Sequence, residues 1–293
     1  MKTNRITMLI ITLLLTVCML AGCGADSDVT PTTAPTKAPT QAPTTAPTQA
    51  PSQDPTQAPT QGPTNAPFSY EIKYVTDGLL ALYEGACNTR DAGLVEDWDV
   101  WEDLSSNEND LEALPIGDQL YFSKDGLYIE SQLIGLPDII VETVNAGEFT
   151  IELSFGNLVE LTGTNWIGFI QDYVNNNDQL AFYYNVSAGE LTLKLGGNST
   201  RAKFAIDPSE LANHTFSVTV SATEGVAIMY HDGVEVGRGD ASNGVHIISL
   251  AIGHTAPQRC YNALYNSIRF YSRALTADEI AHNASENAGI LIK

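Results

Sequence analysis

The sequence predicts an all-β fold in which two antiparallel sheets pack as a sandwich or jelly roll. From residue 119 onward, short apolar or alternating runs recur at roughly the 8–12-residue spacing typical of such folds, with Gly, Asn and Asp between them. The pair Asp232-Gly233 separates two of these runs directly, as in a two-residue hairpin. Long helical patterns are nearly missing from the sequence, which favours a sandwich over a mixed α/β fold.

Each expected strand is a run of β-branched, aromatic or alternating residues that ends at turn residues. We expect strands at Leu79–Tyr83, Tyr128–Leu133, Phe149–Phe155, Trp166–Gln171, Leu180–Asn185, Leu191–Leu195, Thr215–Ala222, Val226–His231, Val234–Gly237 and His246–Gly253.

The closing segment Asn262–Ile280 combines a strand with a helix start. Its first half alternates, with Ile268 and Phe270 on one face and Arg269 on the other. In its second half Thr276 is followed three residues later by Glu279, which is the capping-box pattern. We expect this last strand to close a sheet, with its partner at the beginning of the domain.

The N-terminus has the pattern of a secretory signal, which we assign to residues 1–22. Lys2 and Arg5 precede an apolar run from Ile6 to Leu20 that is too short to span a bilayer comfortably. The following Leu-Ala-Gly-Cys resembles the lipobox of bacterial lipoproteins, which implies that Cys23 carries a lipid. The chain would then be anchored to the outer face of the cell membrane, at the bacterial cell surface. The alternative is an ordinary cleaved signal with an incidental cysteine.

Residues 23–67 form a linker rich in Thr, Pro, Ala and Gln. Proline recurs at every fourth position from Pro31 to Pro67, and this repeat cannot build a packed core. We expect a disordered, extended spacer, with binding by the proline tract as the alternative. Residues 68–293 remain as one domain.

Charge and cysteine content narrow the possible partners. The formal net charge is −21, which argues against nucleic acid and against contact with anionic lipid except through the anchor.

Besides Cys18 in the signal and Cys23, the sequence holds Cys87 and Cys260. Outside the cytoplasm this pair predicts one disulfide, with two free thiols as the alternative. Neither Cys nor His residues show the paired spacing of a zinc site.

Three motifs, in order, resemble the laminin-G-like, concanavalin A-like domains. They are the loop WEDLSSNEND (Trp101–Asp110), the hairpin VAIMYHDGVEVGRG (Val226–Gly239) and the closing NSIRFYSRALTADEIAHN (Asn266–Asn283). The resemblance implies a concanavalin A-like jelly roll whose first strand lies beside its last. It would also bring Cys87 and Cys260 to one end, which favours the disulfide.

The same loop offers oxygen ligands of the kind that calcium prefers. Asp103, Asn107, Asn109 and Asp110 lie close together in the sequence. Some members of the resembled family complete such a site with acids in the closing strand, where this chain has Asn266 and Ser267. The alternative is a calcium-free loop held by Asx turns.

Catalysis has one candidate segment, which begins at Asp97 and ends at Glu102. It resembles the Glu-x-Asp-x-x-Glu strand of laminarinases and lichenases, but its first position is Asp and it precedes the central strands. The five histidines are scattered, and no nucleophile elbow accompanies them. We therefore expect a protein that is not an enzyme, with a glycoside hydrolase as an alternative.

Aromatic and amide side chains in loops are the expected ligand contacts, because rings stack on sugars and amides bind hydroxyls. The candidates are Trp98, Tyr173, Asn175, Asn176 and Asp178. We expect Trp101 and Trp166 to belong to the core, with ligand contact as the alternative for both. The expected partner is an extracellular glycan, and the alternative is a surface protein bound by an adhesion or scaffold module.

Overall fold

A computed structural model describes residues 69–96, 99–112, 121–129, 133–160, 166–174, 179–197, 199–253 and 262–291. The expected signal 1–22 and linker 23–67 lie outside these ranges. In the described part of the chain, no helix is long and apolar enough to cross a lipid bilayer.

The described residues form sixteen strands and two α-helices. The strands are β1 Leu79–Glu84, β2 Val100–Trp101, β3 Leu111–Glu112, β4 Tyr121–Ser123, β5 Gly126–Ile129, β6 Leu133–Gly135, β7 Glu148–Glu160, β8 Trp166–Gln171, β9 Leu180–Asn185, β10 Glu190–Leu195, β11 Thr200–Ala205, β12 Thr215–Ser221, β13 Val226–His231, β14 Val234–Asp240, β15 Ala251–Gly253 and β16 Asn262–Tyr271. The helices are α1 Asp138–Ala146 and α2 Ala277–Leu291, and a 3₁₀ turn spans Pro208–Leu211.

The predicted two-sheet antiparallel sandwich is confirmed. Within the described residues, the larger sheet has eight strands in the order β14-β13-β12-β7-β16-β5-β4, with β1 also paired to β16. The smaller sheet has six strands in the order β11-β10-β9-β8-β15-β6. The core lies between them and follows the alternation of the strands, as in β12, where Phe216, Val218 and Val220 face inward.

The closing strand pairs with the first strand, as expected. Leu79 to Glu84 of β1 lies antiparallel to Ser267–Tyr271 of β16. The capping box of α2 is present, since Thr276 N–H donates to Glu279 Oε2 at 2.8 Å and Glu279 N–H donates to Thr276 Oγ1 at 3.3 Å. Helix α2 covers the outer face of the larger sheet, where Tyr230, Tyr271, Leu275 and Ile280 form a separate apolar cluster.

A buried ion pair fastens this helix to the sheet. Arg269 Nε donates to Glu152 Oε2 at 2.8 Å, and both side chains are fully buried. Asn283 and Asn287 of α2 complete the network, because Asn283 Nδ2 donates to Glu152 Oε2 and Arg269 Nη1 donates to Asn287 Oδ1. The alternation predicted Arg269 on the face opposite Ile268 and Phe270, but no sequence pattern indicated that a helix covers that face.

Several strand predictions need correction. The expected strand Tyr128–Leu133 is divided between β5 and β6, which belong to different sheets. In the expected strand His246–Gly253, extended pairing is confined to Ala251–Gly253. Helix α1 was not expected; it buries Ile140, Val141 and Val144, and it ends at Gly147, whose φ of 83° suits glycine.

Candidate functional site

The outer face of the smaller sheet carries a group of aromatic and polar side chains that we call the aromatic platform: Trp166, Tyr183, Thr192 and Lys194. Tyr183 of β9 lies between Gly168 of β8 and Thr192 of β10 in the strand register. Its neighbours Phe182 and Tyr184 point into the core, so Tyr183 itself points away from it. The platform therefore lies on the face opposite the core.

The indole of Trp166 is the exposed member of the platform. Its ring centroid lies 4.8 Å from that of Tyr183, and the two planes are inclined by 47°. Lys194 Nζ lies 4.8 Å from the centroid of the Trp166 ring and 5.3 Å from that of Tyr183. Trp166 is 38% exposed, whereas Tyr183 and Lys194 are buried. An ammonium over two rings holds the indole in place by cation–π attraction.

Among the described residues, three buried polar atoms on this sheet or next to it have no hydrogen-bond partner. Thr192 Oγ1 lies beside Tyr183 in the platform, Asp172 Oδ2 lies just beyond the end of β8, and the hydroxyl of Tyr184 lies on the core face of β9. The other Asp172 oxygen accepts from Ser249 Oγ at 3.1 Å. A buried polar group without a partner costs about 1–3 kcal/mol, so each such group calls for an explanation.

The larger sheet carries a concavity that is separate from the aromatic platform. It encloses about 420 Å³ between β12–β14 and the start of α2, and Thr219, Ile228, Tyr230 and Thr276 are among its lining residues. Its lining residues all belong to the described part of the chain. None of them has a buried polar atom without a hydrogen-bond partner.

The expected ligand residues are only partly described. Tyr173 is half-buried next to Asp172, at the same end of β8. Trp98, Asn175, Asn176 and Asp178 lie outside the described residues.

The two tryptophans expected in the core have different environments. Trp101 is fully buried, and its Nε1 donates to Glu84 O at 3.0 Å. Trp166 is exposed, so that prediction was wrong. Strand β8 is apolar on both faces and bulges between Gly168 and Ile170, so its alternation does not reveal which face is the core.

The calcium-type loop is held by its own hydrogen bonds. Asp103 Oδ1 accepts from the Leu82 and Ser105 N–H groups, both at 2.8 Å. Its Oδ2 accepts from Ser105 Oγ at 2.8 Å and from Asn109 N–H at 3.0 Å. These donors occupy both oxygens of a carboxylate that is fully buried. The side-chain amide of Asn107 points elsewhere, donating to the carbonyls of β1.

Asp110, the other acid of the loop, is paired with Arg90. Burial would raise the pKa of Asp110, but its hydrogen bonds with the Arg90 guanidinium and the Asp103 N–H hold that pKa below the usual value. These contacts fit the alternative expectation, a loop held without metal. Calcium binding at this loop stays a prediction.

The expected catalytic pair and disulfide are also described only in part. Asp97 lies outside the described residues, and Glu102 Oε2 accepts from Arg90 N–H at 2.8 Å. Cys87 is a half-buried free thiol, with Sγ 3.8 Å from Thr89 O. Cys260 and Cys23 lie outside the described residues, so the disulfide and the lipid anchor stay predictions.

Comparison with known proteins gives a family match and several similar folds. The family model for the concanavalin A-like lectin/glucanases superfamily matches residues 131–281. A Trypanosoma rangeli sialidase, solved with a difluoro sugar acid, is 14% identical with a TM-score of 0.51; the match covers 74% of this chain and 34% of the sialidase. This chain therefore spans about a third of that enzyme.

A second similar structure corresponds to a single domain. Domain 4 of AbnA, a GH43 extracellular arabinanase of Geobacillus stearothermophilus, was solved with arabinotriose. It is 18% identical with a TM-score of 0.50, and the match covers 70% of this chain and 98% of that domain. At these identities the likenesses show the fold alone. No curated protein sequence matches the chain.

Proposed function

Because the chain belongs to the concanavalin A-like lectin/glucanase superfamily, we propose that it is a non-enzymatic module that binds carbohydrate through the aromatic platform. The observation that carries this proposal is the exposed Trp166 ring, held in position against Tyr183 and Lys194. Sugar rings stack their C–H faces on aromatic rings, and their hydroxyls both donate and accept hydrogen bonds.

The rim of the platform adds further polar groups. Asn185 lies opposite Trp166 in the register, and Glu190 lies opposite Asn185 on the next strand. Lys203 Nζ pairs with Glu190 Oε2 at 3.0 Å and leaves the ammonium about half exposed. A ligand stacked on Trp166 would therefore meet amide, carboxylate and ammonium groups at its edge.

Binding without hydrolysis is supported by the surroundings of Glu102. Retaining glycosidases need two carboxyls about 5–5.5 Å apart, one of them free to attack the sugar. Glu102 instead accepts from the Arg90 backbone and lies 3.5 Å from Arg90 Nε. The similar arabinanase domain, which was solved with arabinotriose, adds support by analogy of fold.

We further propose that the chain is displayed on the bacterial surface. The lipidated Cys23 would hold it to the outer face of the membrane, and the proline-rich spacer would project the domain toward extracellular glycans.

A glycan array probed with the purified chain, with and without calcium, tests the ligand class. We expect binding to a restricted set of glycans, and intact glycans after prolonged incubation. A blank array together with specific capture of one surface protein would replace this proposal with an adhesion function. Release of reducing sugar that Glu102→Gln abolishes would establish a glycosidase.

A further inference from the structure

His214, His231 and Asp232 meet at one end of the β12–β13 hairpin. His214 immediately precedes β12, His231 ends β13, and Asp232 begins the two-residue turn into β14. The β12–β13 register pairs Phe216 with His231, which brings His214 close to His231 although seventeen positions separate them in the sequence. The two histidine ring centroids lie 4.7 Å apart.

The ligand atoms of these three side chains converge. His214 Nδ1 lies 2.6 Å from Asp232 Oδ2, and His231 Nε2 lies 3.8 Å from the same oxygen. One ligand atom from each residue fits within a mutual distance of 4.8 Å. Four ligands at about 2.0–2.1 Å from a tetrahedral zinc lie about 3.3 Å from one another, so modest side-chain rotations would place these three around an ion.

His231 Nε2 has no hydrogen-bond partner in this arrangement. The atom is buried, and the 3.8 Å contact to Asp232 is too long for a hydrogen bond. A metal ion would satisfy this nitrogen.

Packing and hydrogen bonding hold the His231 ring and the Asp232 carboxylate near these positions. The His231 ring stacks on Phe216 at 5.0 Å with an angle of 6° between the planes, and Phe204 lies 5.9 Å away. Asp232 Oδ1 accepts from Thr215 N–H at 2.8 Å, which orients the carboxylate. Gly233 has φ of 81°, and a Cβ there would lie 2.9 Å from Ala281 Cα, so α2 holds the turn in place.

We propose that His214, His231 and Asp232 form a site for a divalent transition-metal ion, for which zinc is the best match. Two imidazoles and one carboxylate are ligands that zinc accepts, and three protein ligands leave a fourth position for water or another group. The side chains of His214 and Asp232 are 31% and 49% exposed, which gives an ion access from solvent. The site lies on the larger sheet and does not depend on the carbohydrate proposal.

Isothermal titration of the metal-stripped chain with zinc chloride tests the proposal. We expect one saturable site that needs these side chains, and no comparable binding of calcium, which prefers oxygen ligands. His214→Ala and Asp232→Asn should each weaken zinc binding at least tenfold. Mutating a residue that only supports a metal ligand already lowers metal affinity by roughly 10–100-fold. Asparagine keeps a side-chain oxygen for Thr215 N–H, and Asn-Gly is a favourable hairpin turn, so that variant should fold.

His246→Ala is the matched control, because His246 is exposed and forms no such cluster with any other residue that the structure describes. It should bind zinc like the parent chain. X-ray absorption of the zinc-loaded chain should show nitrogen and oxygen ligands at about 2.0–2.1 Å. Equal zinc affinity in the parent chain and His214→Ala, or sulfur ligands at about 2.3 Å, would overturn the proposal.

Discussion

Replacing Glu84 by glutamine should change how the stability of the fold depends on pH. Glu84 ends β1, is buried, and has an Oε1 atom without a partner. Burial raises the pKa of this carboxyl to about 7, although Arg269 and the hydroxyls of Tyr74 and Tyr70 oppose part of the rise. The folded chain therefore keeps a proton that the unfolded chain loses above its ordinary pKa of 4.5.

The sign and size of the effect follow from linkage between protonation and folding. Between pH 4.5 and about 7 the unfolded state binds fewer protons at Glu84, so this group makes the free energy of unfolding fall as pH rises. The rise in pKa corresponds to about 3 kcal/mol, at about 1.4 kcal/mol per unit. Below pH 4.5 the protonated acid and glutamine are close in shape and charge, so the substitution should have little effect there.

Urea unfolding, followed by tryptophan fluorescence to which the buried Trp101 contributes, measures this difference. The free energy of unfolding of Glu84→Gln should match that of the parent near pH 4.5 and exceed it by about 3 kcal/mol at pH 8. Glu279→Gln is the contrasting control. Hydrogen bonds with Arg273 lower the pKa of Glu279 to about 2. The ionised Glu279 therefore adds to the free energy of unfolding at neutral pH, and this addition is lost as pH falls. If the free energies of unfolding of Glu84→Gln and the parent chain differ by the same amount from pH 4.5 to 8, burial does not raise the pKa of Glu84.

Three further predictions concern the buried Arg269–Glu152 ion pair, the loop Trp101–Asp110 and the lipid anchor at Cys23. Arg269→Ala leaves Glu152 charged and buried, so urea unfolding should show a loss of about 3–5 kcal/mol, and an unchanged midpoint would mean that the pair is not coupled to the fold. Because N–H and O–H donors occupy the oxygens of Asp103, adding calcium to the metal-stripped chain should leave its Tm unchanged; a rise in Tm would instead establish the calcium site. Cys23→Ala should move the protein from the membrane fraction to the soluble fraction of bacterial cells, and retention in the membrane would contradict the lipid anchor.

The strand order along the chain was largely predictable because alternation and turn residues are local signals. The bounds of β8, β9 and β13 match the expected strands, and the capping box of α2 forms as the spacing of Thr276 and Glu279 indicates. Helix α1 was missed because its sequence, DIIVETVNA, is rich in β-branched residues. Pro137 before it and Gly147 after it were signals that could have marked its ends.

The candidate sites depend on contacts that no local pattern contains. Trp166 and Lys194 meet through the pairing of three strands, and an apolar strand such as β8 does not reveal which face is covered. His214 and His231 lack zinc-type spacing in the sequence, yet the register of one hairpin places them together. Residue types and turns can be read from local sequence, whereas the register of the sheets decides which side chains become neighbours.

The affinity of the Trp166→Ala variant for a glycan that the parent chain binds shows whether the aromatic platform is the carbohydrate site. Loss of the exposed indole removes a stacking surface, and about 1.5–3 kcal/mol of lost burial corresponds to a tenfold or greater rise in Kd. Tyr121→Ala is the matched control, since Tyr121 is an aromatic residue that is 50% exposed on the larger sheet. Our account predicts weakened binding for Trp166→Ala and parental binding for Tyr121→Ala. Parental affinity in Trp166→Ala, with the fold intact, would show that the platform is not the carbohydrate site.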